Sequence, residues 1–310
     1  MRRAWLASLL LAGAAAAQPA PPTAPATCPP ALPQASAAEQ GAPARDRGLL
    51  WRATRDGRTL HLYGTLHVGK PHWRKLGPRT AAALRDSDVV ALEIDPLDPA
   101  LAAAMAAVAH PRRFPAALRD RLDEAYRRAC MAPEALATLH PLLQVTTLTV
   151  MEARWLGMDP AFSAELVLAT QARGAGRRLV ALETPELQVR ALVPADEGEA
   201  RQLFEQALAQ LEDQSARRVL GRLARAWEHG DLATLQDPAA WCECEMNEVD
   251  RALMARLTDA RNAALAEGIV AQHREGRRVF AAVGALHMVG PQSLPRLLER
   301  QGFKVERVRF

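Results

Sequence analysis

Leu60-His61-Leu62-Tyr63-Gly64-Thr65-Leu66-His67-Val68-Gly69 reads as an apolar strand that runs into a glycine and presents a histidine just past the strand end. The pattern returns near the C-terminus as Val279-Phe280-Ala281-Ala282-Val283-Gly284-Ala285-Leu286-His287-Met288-Val289-Gly290. Each copy spells strand, Gly-x-x-His and a second glycine, and each leads into a helical segment. Apolar runs punctuated by glycine in this way are strand signals. Gly64 and Gly284 would let the backbone turn sharply and leave room beside each histidine. The two histidines are far apart in the chain, so only tertiary folding brings them together; if it does, they form one site.

Outward from the first copy, Leu49-Leu50-Trp51 reads as an opening strand, Asp56-Gly57 as a hairpin turn and Thr59 to Tyr63 as the return strand. Pro78 to Asp86 suits a helix, with proline at its first position where the missing N–H does no harm. Asp88-Val89-Val90-Ala91-Leu92-Glu93-Ile94-Asp95-Pro96 is an apolar run ended by proline, as in a strand buried on both faces. It sets Glu93 and Asp95 at its C-terminal end. Arg177 to Pro185 echoes it, since Val-Ala-Leu-Glu occurs in both, so Glu183 repeats the position of Glu93.

Residues 97–175 and 186–275 carry helical patterns. Breaks are expected at Pro111, Pro115, Pro133, Pro141 and Gly157-Met158-Asp159-Pro160, and one long segment runs from Glu245 to about Glu275. A helix from Leu294 to Gln301 and an edge strand from Lys304 to Phe310 close the chain. The predicted fold is α/β: a central mixed sheet from two pseudo-symmetric strand-Gly-x-x-His units with a large helical insert, spanning residues 47–310.

The 310 residues are 49% hydrophobic and 24% charged, enough to build a sizeable core. A formal charge of +4, with arginines scattered beside acids, argues against a nucleic-acid partner. Met1-Arg2-Arg3 precedes a short apolar run ending in Ala15-Ala16-Ala17, so residues 1–17 read as a secretory signal peptide. That run is too short to span a bilayer, as is every other apolar stretch, so no stable membrane insertion is expected. Residues 18–46, rich in Pro and Ala, read as a surface arm. The expected location is periplasmic or secreted. Cys28, Cys130, Cys242 and Cys244 there allow two disulfides in three connectivities. A bridge from Cys28 would pin the arm. Cys242-Glu243-Cys244 as a soft-metal pair lacks a second Cys or His pair nearby. The oligomeric state is not written in the sequence.

Ligand sites in α/β sheets gather outside the C-terminal strand ends, where His67, Glu93, Glu183 and His287 are expected. Two imidazoles and a carboxylate suit a borderline divalent cation, zinc included, with positions left open for water and substrate. A second carboxylate would serve as general base, and a guanidinium would hold an oxyanion or a substrate carboxylate. Bland readings stand beside these. A lone histidine after a strand is commonly structural, and here the repetition of the whole unit speaks against that. Glu93 in an apolar strand needs a metal, Arg or His partner. Glu183-Thr184-Pro185-Glu186 also reads as a helix N-terminal cap, and Asp95 as the cap of the helix that follows it. Arg261 by itself is a surface charge. Of the other histidines, His72 alone lies near enough to line a rim.

Tyr63 to Gly69, Ala91-Leu92-Glu93, Leu182 to Gln188, Arg261-Asn262 and Val283 to Gly290 together resemble the TraB/GumN family. That family is related to the Tiki metalloproteases and, more distantly, to erythromycin esterases and ChaN-like haem-binding proteins. The resemblance covers roughly residues 47–310. It implies an α/β fold with the two histidines and a glutamate clustered at one site, and His67, Glu93 and His287 are the metal ligands expected here. By analogy with Tiki it also implies a divalent-metal peptidase, with manganese or cobalt, acting on a peptide or small-molecule substrate. It gives Arg261 a site role, as oxyanion or carboxylate clamp beside Glu183 as general base. The departures are a cleavable leader in place of a membrane anchor and the arm with Cys28. A non-catalytic peptide- or haem-binding protein and a metal-free, esterase-like hydrolase are the alternatives.

Overall fold

The computed structural model describes residues 28–108, 115–243 and 246–310. The expected signal peptide, the first part of the arm, the break at Pro111 and Cys244 lie outside the described residues. Six strands form one mixed sheet: β1 (Leu49–Arg55), β2 (Arg58–Thr65), β3 (Val89–Leu92), β4 (Arg178–Ala181), β5 (Val279–Gly284) and β6 (Lys304–Val308), in the order β4-β3-β5-β2-β1-β6. The four strands β4, β3, β5 and β2 run parallel, while β1 is antiparallel to both β2 and β6. The hairpin turns where the sequence predicts, with Asp56 and Gly57 both at positive φ.

β5 lies mid-sheet, and Val279 through Val283 are fully buried, as a continuous apolar run demands. Its neighbour β2 pairs with it so that Gly64 faces Val283 and Thr65 faces Gly284. The two strand-Gly-x-x-His units are therefore adjacent, one position out of step. Beyond the strands they differ. Residues 66–69 bend at His67 and are held by the segment at 159–164, whereas β5 passes into a 3-10 turn, Ala285–Met288. Neither Gly64 nor Gly284 has positive φ, so neither position uses the left-handed conformation open to glycine. The glycine that a close approach does require is Gly69: a Cβ there would lie 2.0 Å from the Phe162 carbonyl oxygen.

Helix Asp259–Arg274 packs on β5, and helix Ala164–Gly174 packs on β3 and β4. Helices Ala116–Ala129, Pro141–Met151 and Glu197–Glu212 bury their own apolar cluster around Tyr126 and Phe204, which makes the insert a second body of core. A Cys28–Cys130 disulfide ties the arm to it, and Cys242 is also disulfide-bonded. The single segment expected over 245–275 is two helices, Glu248–Leu257 and Asp259–Arg274, parted where Thr258 leaves helical geometry (φ −126°, ψ −79°). The helix after β3 is capped by Asp98, whose side chain accepts from the Ala100 amide; Asp95 accepts from the Leu97 amide and pairs with Arg173. No helix among the described residues is long and apolar enough to cross a membrane.

Candidate functional site

Because β3 and β4 are parallel neighbours, their shared Val-Ala-Leu-Glu endings bring two carboxylates side by side. The Glu183 amide donates to the Glu93 carbonyl at 2.8 Å, and both side chains are buried. Adjacent buried carboxylates repel and lose hydration, so a counter-charge must lie between them. Arg261 supplies it. Its Nε donates to Glu183 Oε1 at 2.9 Å, its Nη2 donates to Glu93 Oε2 at 2.5 Å and also to Glu183 Oε2, and its Nη1 donates to the Leu257 carbonyl at 2.8 Å. The break at Thr258 sets this position, in the first turn of the new helix. Gln188 Nε2 reaches Glu93 at 2.8 Å and Glu183 at 3.2 Å, and the Gly284 amide donates to Glu93 Oε1 at 2.6 Å. Burial alone would raise the Glu93 carboxyl. The charges of His287, His67 and Arg261, with the Gly284 amide, outweigh it and hold Glu93 down to about 2.

Each imidazole is gripped on Nδ1 by an oxygen. His287 Nδ1 lies 2.5 Å from Asn262 Oδ1, and Asn262 in turn donates to the Gln292 carbonyl at 2.9 Å. His67 Nδ1 lies 2.9 Å from Glu165 Oε1. In neutral His287 the oxygen acceptor at Nδ1 fixes the proton there and leaves Nε2 as the free lone pair, whereas His67 also keeps its proton on Nδ1 but frees Nε2 only on losing its second proton. His287 Nε2 stands 3.9 Å from Glu93 Oε2. The second ring converges on the same place. A Cβ built on Gly284 would lie 3.2 Å from Glu93 Oε1, 3.5 Å from His287 Cδ2 and 3.7 Å from His67 Nε2. Gly284 thus keeps open the space that the two rings and the acid share.

The rings differ in setting. His287 is 4% exposed, and that burial presses it down to about 4, so it is neutral near pH 7. The His67 side chain is 72% exposed, yet its Nδ1 side abuts partly buried Glu165, whose charge pushes it up to about 9 against the desolvation of that edge. His67, Glu93, Glu165 and Gln188 open onto a cleft of about 420 Å³, whereas Glu183, Arg261 and His287 do not line it and sit behind Glu93. His72 is not a rim residue; its Nδ1 pairs with Glu39 of the arm at 2.9 Å. Thr184 does cap helix Pro185–Leu192, so Glu183 and the cap coexist.

Of the five residues singled out in the sequence, Glu93, Glu183, Arg261 and His287 are joined by direct contacts, and His67 faces the same space beside Gly284 while its own contact is with Glu165. Sequence reasoning gave no role to Glu165, Gln188 or Asn262. Glu165 looks like any acidic first-turn residue, and only its approach to His67 through the Leu66–Ala164 backbone bond (3.1 Å) gives it a part. Among the described residues no three His, Cys, Asp or Glu side chains stand as a ready ligand group. The donor types nevertheless suit a divalent ion: two imidazoles with Nδ1 engaged and Nε2 turned to one place, and an ionised carboxylate beside them.

Fold and site together define a mixed-sheet α/β protein with a buried acid, imidazole and guanidinium centre at the C-terminal ends of its parallel strands. The chain belongs to the TraB/PrgY/gumN family, whose model matches residues 49–307. Neither a curated protein nor a solved structure matches the chain significantly.

Proposed function

We propose that this protein is an exported, metal-dependent hydrolase that acts on peptide bonds. The observation that carries the reading is the convergence of two imidazoles, each held at Nδ1 by an oxygen, on the space beside Glu93 and Gly284. His67, His287 and Glu93 would hold a divalent ion, with manganese or cobalt expected and zinc suitable. Such an ion supplies Lewis-acid polarisation of a carbonyl and a bound water acidified toward neutral pH.

The chain's own groups do the rest. Asn262 and Glu165 fix the ring orientations, and Arg261 and Gln188 keep Glu93 ionised and aimed. Glu183 as general base and Arg261 as oxyanion clamp are one linked role. While they hold each other neither is free, so substrate must loosen that pair for Glu183 to take a proton and Arg261 to face developing negative charge. The Cys28–Cys130 disulfide suits an oxidising, exported setting.

Metal content and peptide hydrolysis, measured with and without chelator, test this. Chelation, or alanine at His67 or His287, is expected to remove activity. Activity that survives strict metal removal would instead select a metal-free hydrolase. A Soret band on adding haem, without hydrolysis of any peptide, would select a binding protein.

A further inference from the structure

The polar side of the cleft in front of His67 is formed by His67, Glu93, Glu165, Gln188 and Ser163, and the rest of its wall is apolar. Ile94, Pro96 and Leu97 continue from β3 along it, and Pro160, Ala161 and Leu166 come from the segment that carries Glu165. No Lys or Arg is among the residues lining it, and Arg261 behind Glu93 is already bound to two carboxylates. The charges it offers an incoming side chain are Glu93, Glu165 and the single His67 ring. Leu97 is 51% exposed, and Leu187, the residue before Gln188, is 47% exposed. Few large hydrophobic residues are left so open among the described residues. Beyond Leu97 the helix Pro99–Ala106 carries no charge, buries only Ala104, and packs against helix Pro185–Leu192, which bears Leu187 and Gln188. Single exposed leucines are ordinary. A leucine lining the cleft and continuous with an uncharged helix marks a surface that binds something apolar.

We infer that the ligand of this cleft is a polypeptide with an apolar side chain beside the bond to be cut, seated against Leu97 and Leu166, and that acidic side chains are refused there. The inference deepens the hydrolase reading by naming its substrate class. Exclusion of acids follows from the apolar walls, which offer an incoming carboxylate no lysine or arginine to pair with. Preference for leucine or phenylalanine follows from the apolar walls, where partial burial of such a side chain is worth about tenfold in binding.

The test uses the full chain and a matched set of fluorophore-labelled peptides, with Leu, Gly, Asp or Lys placed at one position at a time. Binding is read by anisotropy and hydrolysis in parallel, for wild type and for Leu97→Asp. Since Leu97 is exposed, this variant is expected to keep the wild-type melting temperature. Leucine peptides are expected to bind about tenfold more tightly than glycine peptides, and aspartate peptides more weakly than both. In Leu97→Asp the leucine preference should vanish through Kd and KM, with kcat changed by less than about twofold. Equal binding of all four sets, tighter binding of aspartate or lysine peptides, no peptide binding at all, or an unaltered profile in Leu97→Asp would overturn the inference. Leucine preference lost in Leu97→Asp, but with no hydrolysis of any peptide, would uphold the ligand class and count against the hydrolase reading alone.

Discussion

Asn262 and Glu165 decide which nitrogen each imidazole offers to the space beside Glu93. Partners of this kind behind metal-binding histidines are worth about 10–100-fold in metal affinity or activity. Asn262→Ala and Glu165→Ala are each expected to weaken binding of manganese or cobalt by that factor, measured by calorimetric titration. Circular dichroism should show the fold retained. At this scale the sequence was legible wherever chemistry was repeated. His67 and His287 stood out because a whole strand-Gly-x-x-His unit recurs, and Glu93 and Glu183 because Val-Ala-Leu-Glu does. Glu165 and Gln188 were not legible, because an acid in the first turn of a helix and a glutamine on its surface are commonplace. Their meaning comes from what folds against them. Arg261 has no local mark either, and its place between two buried carboxylates is a tertiary fact.

Elements were legible where apolar runs and turn residues coincide. β3, β5 and the Asp56-Gly57 hairpin fall where expected. The break at Thr258 was not legible, since Leu257-Thr258-Asp259 holds no Pro or Gly to interrupt a helical pattern. A second docking, of helix Ser215–Glu228 against the end of β2, was equally silent. Trp227 Nε1 donates to the Gly64 carbonyl at 2.7 Å, and Glu228 accepts from Lys70 at 2.9 Å and from Trp73 at 3.3 Å. Burial pushes the Glu228 carboxyl up, but the Lys70 bond and charge, Trp73 and Arg47 outweigh it and hold it below its ordinary 4.5. A carboxyl depressed in the folded state stabilises fully above the unfolded value and loses that contribution as pH falls through the folded one. Thermal melts should therefore show a shallower acid limb below about pH 4.5 for Glu228→Gln than for wild type, with parallel curves above it. Identical acid limbs would remove this contact from the stability of the docking.

Across the whole molecule, two connections join what local pattern cannot. β2 and β5 pair in parallel although residues 66–278 lie between them, and the Cys28–Cys130 bridge spans a sequence separation of 102. The even cysteine count permitted that bridge among three connectivities, and only the fold selects the partner. Closing so long a loop restricts the unfolded chain, so Cys28→Ser with Cys130→Ser is expected to lower stability by about 2–4 kcal/mol in denaturant titration. The bridge does not touch the cleft residues, so activity per folded molecule should be kept.

The account depends most on one shared point between two strand ends. Titration of the full chain with cobalt(II), followed by absorption spectroscopy, tests it most directly. One ion per chain is expected in wild type, bound in a nitrogen- and oxygen-ligated spectrum, and lost in both His67→Ala and His287→Ala. Undiminished cobalt binding in either variant, or none in wild type, would contradict it.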